Sequence, residues 1–203
     1  VVNLKTVKAE KGKTSIGQDV MLGSYGLQRY TTSLKIGGQN SSILVNYGRQ
    51  KSDGFMNHTA SRKDFVNIMG DLQLSEKQNL STYIGYSDSY DQRGGELTID
   101  QYNKFDYSGN PAYIKNDAHT NIISFRAGVG HTYAFNNNIS NSTSVFGSGV
   151  SNNVSSAGGW TDKYPINYGV RSTLDINAKL SEGFKLNGII GVEAQRQNAQ
   201  IMG

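Results

Sequence analysis

The chain has 203 residues, of which only 36% are hydrophobic, and its mean hydropathy is −0.51, which argues against a conventional large core. Its 20 Lys and Arg residues are spread among 16 acids with no basic run or stripe, which argues against nucleic acid; the lack of cysteine excludes a disulfide scaffold and thiolate metal sites. With 24 glycines, 12 tyrosines, two prolines and many Ser, Thr and Asn residues, the composition fits extended segments joined by turns, an all-β class.

No stretch approaches the roughly 18 consecutive apolar residues of a membrane helix, and no basic start followed by an apolar run resembles a secretion signal. Low hydropathy does not speak against a membrane barrel, whose strands need only about 9–11 residues and turn every second side chain to lipid.

In chain order, residues 1–6 (VVNLKT) form an apolar, strand-like start and 8–13 (KAEKGK) a polar segment, both belonging to something that precedes a barrel. About nine strands are then predicted, over 14–23, 27–37, 42–52, 64–75, 79–90, 120–135, 139–152, 167–180 and 184–197. Period two is clearest at 168–179, where Val170, Leu174, Ile176 and Ala178 alternate with Arg171, Thr173, Asp175, Asn177 and Lys179. A helix would scatter those charges around its circumference. In 65–74, Val66, Ile68, Leu72 and Leu74 share one parity, while Phe65, Asn67, Met69, Asp71 and Gln73 make a mixed face.

The connections alternate. Those at 37–40, 75–78, 136–138 and 181–183 are short and hold Gly, Asn or Ser, whereas 54–63, 91–119 and 153–167 are long and polar, with Pro111 and Pro165 inside them. Membrane barrels keep short turns on the inner side and long loops outside. The fold expected is therefore an antiparallel up-and-down transmembrane β-barrel, here a partial one. The likeness of LSEKQNL at 74–80 to LSEGFKL at 180–186 marks the same turn role twice, not a solenoid.

No catalytic constellation stands out, and no enzyme activity is expected. His58, His119 and His131 lie far apart, there is no nucleophile elbow or His-Glu-x-x-His helix, and Gly147-Ser148-Gly149 fits small side chains on a barrel wall. Asp88 with Asp91 reads as a solvated loop edge. Asp53 with His58, and Asp117 with His119, supply two donors each, short of a metal site, and no cofactor is expected.

The octet GSYGLQRY at 23–30 resembles the first outer hairpin of TonB-dependent outer-membrane receptors, most closely the ferric-citrate and siderophore group. In the order that family would have them, 1–6 resembles the end of the plug, 50–55 (QKSDGF) the second outer hairpin, and 94–102 (GGELTIDQY) the third long loop, where Arg93-Gly94 replaces the usual proline. The resemblance runs over 1–130 by motif and over the rest by strand pattern. It implies that 1–13 is the end of the plug and its junction, and that 14–203 is the N-terminal part of a plugged barrel of about 22 strands. It further implies an outer-membrane active transporter of a Gram-negative bacterium, taking up a ferric siderophore or similar metal chelate, with outer-membrane lipid around it and the TonB complex as partner through the plug.

Ferric siderophores are commonly anionic or oxygen-rich, so Arg and aromatic side chains in the outer loops are the expected ligand contacts: Arg62, Tyr90, Arg93, Trp160, Lys163 and Tyr164. For Tyr90, Trp160 and Tyr164 an outer aromatic girdle is an equal reading. Arg171, Asp175 and Lys179 would line the wall facing the plug, and His131 would sit at the inner rim. The rival functions are a passive porin or another outer-membrane barrel, such as the membrane part of an autotransporter, and a soluble all-β carbohydrate-binding module with its apolar faces packed sheet on sheet.

Overall fold

The structure, a computed structural model, describes residues 8–181 and 183–203, without the side chains of 179–182. The reading of residues 1–6 and of the Lys179 side chain lies outside the described residues. Among the described residues, nine strands form one antiparallel sheet in sequence order: β1 (Thr14–Leu22), β2 (Gln28–Gly37), β3 (Ser41–Ser52), β4 (Ser61–Ser75), β5 (Gln78–Gln92), β6 (His119–Ala134), β7 (Ile139–Ser156), β8 (Gly159–Ser181) and β9 (Phe184–Met202). Each strand pairs only with its chain neighbours, so β1 and β9 are the two edges of an unclosed wall.

The pairing register sorts side chains between the two faces, because directly opposite residues point the same way. One unbroken row runs Ile16, Leu34, Val45, Ile68, Ile84, Ala127, Gly147 and Tyr168, one residue per strand. The row beside it holds Tyr47, Val66, Tyr86, Phe125 and Ile166. The opposite face at the same heights carries Ser33, Asn46, Asn67, Gly85, Arg126, Ser148 and Asn167. We call these the apolar and the polar face.

Apolar residues do not make a core here. Among the described residues only Leu44, Met56 and Ala118 are buried hydrophobics, while Ile16, Ile84, Val129, Val145, Ile190 and Val192 stand exposed on the apolar face. Among the described residues no second sheet packs on that face. Toward the loop end the apolar rows give way to Tyr30, Arg49, Asp64 and Asp88, then to Lys51, Arg62, Tyr90, Asn121 and Asn153. Apolar rows that end in aromatic and charged ones match the lipid-facing band and rim of a membrane barrel.

One connection departs from the sequence reading. Residues 153–167 are not a long loop, because β7 runs to Ser156, β8 starts at Gly159, and only Ala157 and Gly158 join them. Ladder hydrogen bonds are indifferent to side-chain polarity, so two strands can continue as a polar ribbon beyond the band while reading as a loop in composition. Pro165 accordingly lies inside β8. The β7–β8 pairing breaks off at Gly149↔Ile166 and resumes at Asn152↔Lys163, leaving the gap where the imide nitrogen has no hydrogen to give.

Candidate functional site: the loop end and the polar wall

The loops at the long-connection end hold one another. Asp53 N–H donates to Tyr25 O at 2.8 Å, Asn57 N–H to Tyr107 O at 3.0 Å, Arg93 N–H to Ala118 O at 2.8 Å, and Asn116 Nδ2 to Ala157 O at 2.9 Å. Two short helices shape the 93–118 connection: α1 (Ile99–Asn103), capped by Thr98 with Gln101 reaching back, and α2 (Pro111–Lys115), capped by Asn110 with proline at its first position. The Asp106 carboxylate accepts the Ser108 N–H at 3.0 Å, and this bonding to Ser108 holds its pKa below the usual carboxylate value.

Strain collects in the same place. Tyr25, His58, Phe105 and Asp117 are the non-glycine residues with left-handed φ among those described, and all four lie in these loops. Such conformations persist only where their surroundings enforce them. His58 and Asp117 touch, with Nε2 3.5 Å from the carboxylate and 3.0 Å from Ala118 O, while Ala118 is fully buried. Tyr25, Phe55 and Tyr107, from three different loops, meet edge to face at centroid distances of 6.5 and 6.0 Å. The structure therefore pairs His58 with Asp117 and not with Asp53, and no group of three or more metal-ligating side chains occurs among the described residues.

The six residues selected from sequence do not converge. Only Arg93 lies in a connection, its guanidinium 6.0 Å from the Tyr113 ring centre. The other five belong to strands: Tyr90 lies within the strand expected over 79–90, and β4 and β8 extend past the boundaries read from composition to take in Arg62, Trp160, Lys163 and Tyr164. Arg62 and Tyr90 are opposite each other on the apolar face just beyond its band, with Arg62 5.8 Å from the Tyr90 ring and 3.4 Å from Asp88, and Tyr90 stacked on His119. Trp160 and Tyr164 share the parity of that face, and Lys163 shares that of the polar face, beside Asn152. Arg171 also lies on the polar face, where Glu193 accepts its Nη2 at 2.6 Å; Asp175 has the same parity, and His131 is on the apolar face next to Leu80.

A hollow on the polar face escaped the sequence reading. It spans about 280 Å³ and is lined by Lys63, Phe65 and Asn67 of β4, Tyr83, Gly85 and Ser87 of β5, and Ser124 and Arg126 of β6. Parity alone could have found Arg126, since it alternates against Phe125, Ala127 and Val129. Closer to the short turns, residues 8–13 cross the polar face: Ala9 N–H donates to Ser42 Oγ at 2.8 Å, and Lys8 pairs with Asp71 at 2.9 Å. Gly37 is required there, because a Cβ would run into the Glu10 carbonyl.

A single meander with one apolar and one polar face, loops gathered at one end and no core defines the wall of an up-and-down membrane barrel. Among solved structures, the chain is similar to the ferric citrate transporter FecA in its unliganded form (TM-score 0.70, 14% identity, 92% of this chain and 28% of that one). It is likewise similar to the ferric-catecholate import receptor Fiu from E. coli K12 in its open form (0.73, 12%, 96% and 35%). A third match is the siderophore receptor PiuA from Acinetobacter baumannii (0.77, 11%, 97% and 32%). The chain thus has the fold of part of a TonB-dependent ferric citrate or siderophore receptor barrel, and spans about a third of the length of those structures. No family model and no curated protein matches the sequence.

Proposed function

We propose that this chain is the first part of the barrel wall of an outer-membrane receptor that takes up a ferric siderophore or a similar metal chelate, energised through TonB. The observation that carries the reading is the two-faced sheet in the fold of iron-chelate receptors. In it, the apolar face meets outer-membrane lipid, the polar face lines a lumen, and the interlocked loops receive the chelate. Residues 1–13 form the end of a plug and its junction, in keeping with the course of 8–13 over the polar face. Of the six residues selected from sequence, we assign Arg93, in a loop, and Lys163, on the polar face, to an entering ligand, and Arg62, Tyr90, Trp160 and Tyr164, on the other face, to a rim toward the lipid headgroups.

The test is uptake and equilibrium binding by the full-length protein across ferric chelates, haem and cobalamin, with and without a functional TonB complex. Saturable binding of one ferric chelate and TonB-dependent uptake are expected. Non-saturable passage of small solutes without TonB would make the barrel a porin and end this reading.

A further inference from the structure

His119 opens β6 where the 93–118 connection returns to the wall, and its ring meets that connection, β7 and β5. Nδ1 lies 2.6 Å from the Asp117 carbonyl oxygen, Nε2 lies 2.8 Å from Asn153 Oδ1, and the ring stacks on Tyr90 at a centroid distance of 5.1 Å. A carbonyl oxygen only accepts, so Nδ1 must carry a hydrogen. The amide of Asn153 is fixed as well, because its Nδ2 donates to the Asp162 carboxylate of β8, which also only accepts. Turning that amide over would set oxygen against oxygen. Its Oδ1 therefore faces Nε2, which must carry a hydrogen too. Both ring nitrogens donate only in the imidazolium, so these contacts require the protonated ring.

The charged groups around the ring agree with a cation there. Asp162 stands behind Asn153, the Asp117 carboxylate belongs to the turn that Nδ1 grips, and the face of the Tyr90 ring favours a positive charge. From β5, the residue opposite His119 is the neutral Gln92. Arg62 reaches Tyr90 from β4, on the far side of β5, and is paired with Asp88 at 3.4 Å. His58 meets the same turn from the 53–60 connection, but its Nε2 faces the Ala118 carbonyl at 3.0 Å, a bond that a neutral ring makes equally well. The backbone held by Nδ1 is strained, since Asp117 has a left-handed φ of 46°. Beside it, Asn116 Nδ2 donates to Ala157 O at 2.9 Å in the β7–β8 turn. Without the second proton, one of the two short contacts of His119 opposes a nitrogen lone pair to an oxygen lone pair, and the turn and the ribbon must part.

We propose that His119 is a proton-operated latch: its imidazolium clips the end of the 93–118 connection to the β7–β8 ribbon, and loss of the proton releases the connection. The sign follows from the contacts. The latch is closed in acid and opens as pH rises from about 5 to about 8, the interval in which imidazoles titrate. The inference goes beyond the receptor reading and stands on these contacts whatever ligand the loops receive.

The test is amide hydrogen exchange of the full-length protein in detergent over that pH interval, corrected for the intrinsic rise of exchange with base. The amides of Asp117 and Ala118, which donate to the Ile114 and Tyr113 carbonyls, should lose about tenfold in protection, the scale of one charge-assisted hydrogen bond. Amides in the middle of β5 and β6 should not change. His119→Gln should abolish this step, and His58→Gln should keep it. Asp162→Asn should shrink it, because the Asn153 amide is then free to turn over and donate to a neutral ring, which holds the turn at the upper end of the interval as well. A merely structural His119 would not respond to the residue behind Asn153 in this way. The latch is overturned by a wild type without the step, by a step of equal size in His119→Gln, by its loss in His58→Gln, or by an undiminished step in Asp162→Asn. Uptake and chelate binding enter none of these readings, so their failure would remove the receptor reading and leave the latch standing.

Discussion

Ile84 and Ser81 lie on one strand and differ in parity, so together they test which face meets lipid. Ile84 sits mid-row between Ile68 and Ala127, and Ser81 faces the polar side beside Asp71 and Gly130. Ile84→Arg should lower unfolding stability in lipid by about 2–4 kcal/mol, the cost of a cation near the bilayer midplane, and Ser81→Arg by far less. Urea titration of the full-length barrel in vesicles measures both, and a larger loss for Ser81→Arg would reverse the faces. By contrast, Arg171→Ala should cost under about 1 kcal/mol on the same titration, because the Arg171–Glu193 pair is half-exposed and solvent screens it. At this scale the alternation in 168–179 was fully legible, because period two survives any error in strand ends. The site residues were not. Arg62, Trp160 and Tyr164 fall in segments whose composition reads as loop, and a residue in a loop has no parity to say which way it points; Tyr90 closes the expected strand 79–90, but its chemistry suits a ligand contact and a girdle equally.

For elements, the sequence marks where lipid forces alternation and loses sight of strands beyond it. β1 to β6 were legible to within about three residues, since turn residues close each hairpin on both sides. The polar stretch 153–167 gave no such signal, and its strands are visible only in the ladder. Amide exchange separates ribbon from loop. The paired amides of Asn152, Val154, Thr161 and Lys163 should be protected, while Val150, opposite Pro165 in the β7–β8 gap, exchanges faster. Uniformly fast exchange over 152–163 would restore the loop. The short helices were legible in retrospect: Thr98 with Gln101 is a capping box, and Asn110-Pro111 is a helix start. Thr98→Ala should cost the α1 turn about 1 kcal/mol, read as faster exchange of the Gln101 and Tyr102 amides with β5 and β6 unaffected.

At the scale of the molecule, the absence of a core among the described residues decides the behaviour. A sheet whose apolar side chains stand on one open face has no soluble form with that face hidden, and its edge strands β1 and β9 offer unpaired N–H and C=O groups to any second copy. The 203-residue chain should therefore need detergent to stay dispersed, and a monodisperse monomer in plain buffer by light scattering would sink the membrane assignment. The polar face makes the complementary demand, because it is organised to receive chain. Lys8–Asp71, Ala9–Ser42 and the close passage of Glu10 over Gly37 fix residues 8–13 across β2 to β4, inside the rim of short turns. Gly37→Val in the full-length protein fills the place of the Glu10 carbonyl and should lift that segment from the wall while β2 keeps its pairing. Trypsin should then cut after Lys8, Lys11 or Lys13 many times faster than in the wild type, with the barrel fragment surviving intact on a gel. Equal cleavage in the two proteins would mean that this crossing does not hold, and the route by which chain enters the lumen would have to lie elsewhere on the wall.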